Sequence, residues 1–160
     1  HKKIIEELNE LKVNLKLISD GDISGALLVS NEKYGVDIFM GIGGGPEGVL
    51  AASALDAYNC NFQGRFIFKE ENDISRAKKM GIKELDRKYE LSEIISGDSI
   101  FCATGITSGD LVNGIEIIED KYSSETLVTH KKSNTKKVIK RTENLTSWFQ
   151  SPIKYGVKGK

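Results

Sequence analysis

Apolar residues along this chain recur at two different periods, and the switches between them predict the order of its elements. Ile4, Ile5, Leu8 and Leu11 fall on one helical face with Glu6, Glu7 and Glu10 opposite, so the chain opens with an amphipathic helix. Val13, Leu15 and Leu17 then alternate with Asn14 and Lys16 as a strand would, and the run stops at the turn residues Ser19, Asp20, Gly21 and Asp22. Residues 23–34 read as a helix, with Asp22 as its N-cap and Gly35 as its stop. An apolar strand over 36–42 follows, ending in Gly43, Gly44, Gly45, Pro46, Glu47 and Gly48. The Ala- and Leu-rich stretch 49–58 is the next helix. Residues 62–68 form a third strand, 73–80 a helix closed by Gly81, 91–95 a short helical piece, and 99–103 a fourth strand. Beyond Gly114 the pattern changes to short strands at 115–118, 126–130 and 137–142, joined by polar turns. The fold class expected is α/β: a layered mixed sheet with flanking helices and an antiparallel meander near the C-terminus. One domain over 1–146 and an irregular tail over 147–160 complete the division.

Composition narrows the function. With 39% hydrophobic and 29% charged residues, 160 residues suffice for one cooperative core. The 23 basic and 23 acidic side chains cancel, so no global field draws the chain to nucleic acid or an anionic membrane, and an anionic ligand must be met locally. Cys60 and Cys102 stand apart without a metal-binding spacing and are expected to be buried thiols in a reducing compartment. No apolar run approaches the roughly 18 residues of a spanning helix and no signal segment is evident, so a cytoplasmic location is expected. The opening His1, Lys2 and Lys3, with no initiator Met, points to a fragment or processed chain.

Two strands end in polar, glycine-rich turns leading into helices, where ligands gather on open α/β sheets, and the two turns should lie close together. In the first, Asp20 and Asp22 flank Gly21, a spacing suited to gripping a cation or sugar hydroxyls, or simply to a capped turn. In the second, consecutive glycines admit a ligand close to the backbone, Pro46 sits where its missing donor is harmless, and Glu47 lies in the first helical turn. A carboxylate there is stabilised by the helix dipole and can coordinate a divalent cation, or can act only as a cap.

Gly43, Gly45 and Gly48 also fit GxGxxG, so a nucleotide-binding module built on residues 43–48 is the alternative. It would place a pyrophosphate beside Glu47, where two anions about 4 Å apart repel by about 4 kcal/mol at an effective dielectric near 20. Elsewhere, Arg65 of the sequence Gln63, Gly64, Arg65 is read as either a phosphate contact or a structural ion pair. Thr104, Thr107 and Asp110 are candidates for the site floor. His130 is a weak acid–base candidate, and Lys131, Lys132, Lys136 and Lys137 read as solvated turn and edge charges.

Taken in order, Asp20, Gly21 and Asp22, the segment 40–52 around Gly-Gly-Gly-Pro-Glu-Gly, residues 63–65, and the run 103–111 resemble the successive signatures of the class II fructose-1,6-bisphosphatases of the GlpX type. The resemblance implies a sugar-phosphatase-like fold of the lithium-sensitive type, dependence on magnesium or manganese, and hydrolysis of the 1-phosphate of fructose 1,6-bisphosphate in gluconeogenesis. It further implies that Glu47 is a metal ligand and that Asp20, Gly21, Asp22 and Gly44 contact the substrate. Family members carry an additional amino-terminal half that supplies most metal-binding carboxylates and the catalytic threonine. No Asp-Pro-x-Asp-Gly-Thr-like motif occurs in this chain. The expectation is therefore a carboxyl-terminal half with no catalytic residue of its own, inactive alone, partnered by the missing half, and assembled as a homo-oligomer. A catalytically silent fragment retained for assembly is a third reading.

Overall fold

The computed structural model describes residues 1–19 and 21–145, so Asp20 and the tail read over 147–160 lie outside the described residues. Helix α1 (Lys2–Glu10) forms where the first apolar face was read. Helix α2 (Asp22–Leu27) begins at the predicted turn but is shorter than the 23–34 expected: 3-10 turns at Leu28–Ser30 and Glu32–Tyr34 replace the rest. Asn31 makes the break. Its backbone is extended and its side-chain Oδ1 accepts the Lys33 amide at 3.0 Å, so a new turn starts with its own cap. Gly35, at φ 62°, ends it as the sequence predicts.

Helix α3 (Gly45–Tyr58) starts earlier than residue 49 because Pro46 fits the first turn without a lost hydrogen bond. It is the centre of the molecule. Ala51, Ala52, Ala54, Leu55 and Ala57 are buried, and the alanines let α2 approach on one side and the sheet on another. Ala26, Leu27, Ala51, Ala54, Leu55, Phe101 and Leu127 form the core. Burying Leu55 or Leu127 contributes roughly 1.5–3 kcal/mol each.

Strand β1 (Gln63–Gly64) pairs with β2 (Tyr89–Glu90), with α4 (Glu71–Lys79) between them in the chain and α5 (Leu91–Ile94) directly after. The main sheet holds β3 (Ile100–Thr104), β4 (Glu116–Ile118), β5 (Lys121–His130) and β6 (Thr135–Asn144). β6 runs along the whole of one edge of β5, while β3 and β4 share the other edge, with Ile100 opposite His130 and Ile118 opposite Lys121. The α/β class and the terminal meander are as expected, and both sheets among the described residues are antiparallel.

Three predicted strands need correction. Residues 13–17 and 36–42 make no strand pairing among the described residues, and of 62–68 only Gln63 and Gly64 pair. The alternation of 13–17 and the apolar content of 36–42 and 62–68 are real, but a ladder needs a neighbour, and here Leu17, Ile38, Met40, Ile42 and Ile67 stand exposed. The cysteine expectation also changes: Cys60 is half-buried and Cys102 exposed, because the period of β3 turns Phe101 inward and its neighbour outward. No helix among the described residues is long and apolar enough to cross a membrane.

Thr129 on β5 is completely buried, and its hydroxyl has no hydrogen-bond partner among the described residues. An orphaned buried hydroxyl costs about 1–3 kcal/mol, so Thr129→Val should leave stability unchanged or raise it by about 1 kcal/mol in urea denaturation. A loss above about 1 kcal/mol would mean that the hydroxyl has a partner after all.

Candidate active site

Two turns build the site. In the first, Gly21 adopts φ 78°, and the Ser24 hydroxyl donates to the Gly21 carbonyl at 2.8 Å. A Cβ on Gly21 would approach Ser24 Oγ to 2.8 Å, so both conformation and space select glycine. Asp22 opens α2. Behind it, buried Gly25 admits two neighbours that a Cβ would strike, Ile18 Cδ1 at 2.6 Å and Phe39 Cε2 at 2.8 Å. Those contacts hold the chain entering the first turn and the chain entering the second against one helix, so the turns lie together, but by packing on α2 and not as the ends of two paired strands.

In the second turn, Glu47 reaches back so that its Oε2 accepts the Gly44 amide at 2.7 Å. A Cβ on Gly43 would sit 2.6 Å from Asp22 Oδ2 and 3.2 Å from Glu47 Oε2. The carboxylates of Asp22 and Glu47, distant in sequence, thus converge on the bare face of Gly43. Neither makes an ion pair with a described residue. Hard oxygen donors around a position cleared of side chain match what magnesium or manganese takes, yet no group of three or more potential ligands occurs among the described residues. The donor type fits; among the described residues, which leave out Asp20, the ligand count is short.

The neighbouring loop 105–114 is drawn tight. A Cβ on Gly105 would meet the Asn113 carbonyl oxygen at 2.3 Å, and the Gly114 amide donates to Ser108 Oγ at 2.9 Å. Asn113 donates from its amide and side chain to Glu125 at 2.9 and 3.0 Å, and these bonds, the backbone one first, hold the Glu125 carboxyl below the usual range. Lys16 reaches across to Asp110 at 2.9 Å, closing one side of a cavity of about 340 Å³ lined by Ser19, Ser24, Gly25 and Asp110 beside the Asp22 turn.

Among the other candidates, Asp110 is therefore tied to Lys16, and Thr104 spends its hydroxyl on Thr126 across the sheet at 2.9 Å. Thr107 is exposed. Gln63 binds Glu90 at 2.7 Å, and Arg65 makes no ion pair among the described residues. His130 bridges Asp98 at 2.8 Å and Ser133 at 2.7 Å, which fastens the β5–β6 hairpin to the start of β3. Lys131 is not simply solvated: it pairs with Asp56 of α3 at 2.7 Å. Sequence spacing carries no signal for these long-range ties.

A sequence pattern described as bacterial fructose-1,6-bisphosphatase, glpX-encoded, matches residues 1–143. The chain belongs to that family. Within the glpX-encoded family, it is 34% identical over 152 aligned residues to the D-fructose 1,6-bisphosphatase class 2/sedoheptulose 1,7-bisphosphatase of Crocosphaera subtropica. Identity is 36% to the protein of the same description from Synechococcus sp. strain JA-3-3Ab and 33% to that from Trichodesmium erythraeum. Each alignment takes in 87% of this chain but 44% of the relative, so the chain spans less than half the length of the curated relatives it matches.

Proposed function

We propose that this chain is the carboxyl-terminal half of a metal-dependent phosphatase that hydrolyses the 1-phosphate of fructose 1,6-bisphosphate to give fructose 6-phosphate and phosphate, a gluconeogenic step. The convergence of Asp22 and Glu47 on Gly43 carries the reading. Glu47 would hold one magnesium or manganese ion. Asp20, Gly21, Asp22 and Gly44 would orient the sugar, whose hydroxyls suit paired carboxylate acceptors. When bound, divalent cations supply charge neutralisation on the transferring phosphoryl group and its leaving oxygen. The relatives' names add sedoheptulose 1,7-bisphosphate, which makes it the second substrate to test.

The complementary half is the required partner. Segments 13–19, 36–42 and 65–69 take no part in a ladder among the described residues and expose Leu17, Ile38, Met40, Ile42 and Ile67, the surface to which strands of that half would add. We place the assembled enzyme in the cytoplasm as an oligomer of identical units. The nucleotide reading fares worse: the Gly44 amide that a pyrophosphate would need at the start of α3 is already taken by Glu47.

A melting-temperature titration of the chain paired with the complementary half of a class 2 relative separates the readings. Fructose 1,6-bisphosphate with magnesium should stabilise the pair, by about 2.7 kcal/mol at a ligand concentration a hundred times Kd, while NAD and ATP should not. Stabilisation by NAD or ATP in place of the bisphosphate would overturn the phosphatase reading.

A further inference from the structure

Helix α3 has a second pole. Its 14 residues span about 20 Å. At the end far from Glu47, a cavity of about 130 Å³ lies between the Glu32–Tyr34 turn, Tyr58 and β6. Lys33, Lys136 and Lys137 line it together with Tyr34, Tyr58 and Ser30, and no carboxylate among the described residues does. Beneath these groups, buried Leu27 and Leu127 make an apolar floor. Lys33 Nζ stands 4.6 Å from the Tyr34 ring centroid and Lys136 Nζ 5.6 Å from that of Tyr58. An aromatic face steadies an ammonium group without neutralising it, so its charge and N–H donors stay available.

None of the three lysines makes an ion pair with a described residue. Asp56, the acid of α3 closest in sequence to Tyr58, is held by Lys131 at 2.7 Å. Lys136 is in register with fully buried Thr129, which places it on the face of β6 turned toward α3. Burial, reinforced by Tyr34, raises the Tyr58 pKa against the opposing pull of Lys33. The phenol therefore stays protonated at neutral pH, and its hydrogen bond with Ser30 keeps the two hydroxyls side by side in the lining. The carbonyls ending α3 are partly occupied, with the Asn59 amide on Asp56 and the Cys60 amide on Leu55, which limits their repulsion of a nearby anion.

We propose that this cavity binds a small phosphate-bearing anion, inorganic phosphate or a short-chain phosphate ester, at a site separate from that of Glu47. The size excludes a nucleotide, since sites for ligands of that bulk run to about 300 Å³ or more. Uncompensated lysines with phenol and hydroxyl donors over an apolar floor select a tetrahedral oxyanion. The proposal does not rest on the reading of Glu47 as a metal ligand.

The test is a titration of the purified chain with inorganic phosphate at fixed ionic strength, following the ring resonances of Tyr34 and Tyr58 by NMR, with glycerol phosphate and AMP in parallel. Both rings should shift saturably with phosphate, and with the short ester if the cavity accepts carbon, but not with AMP. Lys136→Gln and Lys33→Gln should each weaken phosphate binding about tenfold, Lys136→Arg should keep it, and Glu47→Gln should leave it unchanged. Lys33 is on an exposed turn, so its variant decides the matter should Lys136→Gln not fold. A response that does not saturate, survives both lysine substitutions, or disappears in Glu47→Gln would overturn the proposal.

Discussion

Glu47→Gln, introduced into this chain paired with its complementary half, is expected to lower phosphate release from fructose 1,6-bisphosphate by a hundredfold or more, about 3 kcal/mol of lost transition-state stabilisation. The substitution is chosen because Glu47 has two tasks. Its Oε2 accepts the Gly44 amide and so caps α3, while the same carboxylate faces the Gly43 position together with Asp22. Glutamine keeps an acceptor for the amide and gives up the charge. Stability should accordingly change by less than about 1 kcal/mol, whereas Glu47→Ala, which also removes the cap, should lose up to roughly that amount. The split between activity and stability separates a metal ligand from a cap. Wild-type turnover in Glu47→Gln at saturating metal would remove Glu47 from the metal shell.

How much of this was legible in the sequence depends on whether the cause was local. The first turn was readable because Gly21 must take a positive φ, and the second because proline and glutamate mark a helix start. Apolar periodicity alone starts α3 at residue 49, whereas Pro46 and Glu47 mark its true first turn. The break at Asn31 was missed for a related reason: an apolar run through residue 29 looks helical until the asparagine's own capping bond is considered.

The pairing of strands was less legible. Residues 13–17 have the alternation, and 36–42 the apolar content, of strands without a neighbour among the described residues. Alternation records which faces are meant to be covered, not what covers them. By contrast, β5 and β6 are longer than read because Ser123, Ser124 and Glu125 break the apolar pattern while the backbone ladder continues through them. The convergence of Asp22 and Glu47 was foreseen only as nearness of two strand ends. The basic cavity at Tyr58 was not foreseen, because its lysines lie about a hundred residues apart in the chain.

The central claim is that this chain holds an incomplete phosphatase site. In-line phosphoryl transfer needs charge stabilisation on both the attacking and the leaving oxygen, and among the described residues Glu47 is the one carboxylate proposed to hold a cation, with Asp22 beside it proposed to orient the sugar. Losing even one cation should cost several kcal/mol, so the chain alone should be inactive at any magnesium or manganese concentration. The measurement is phosphate release from fructose 1,6-bisphosphate by the purified chain, then by the chain mixed with a separately made complementary half of a class 2 relative. Silence alone, with metal-dependent release in the mixture that Glu47→Gln abolishes, is the expected result. Metal-dependent release by the isolated chain, itself lost in Glu47→Gln so that contamination is excluded, would show that the site is complete and the claim wrong.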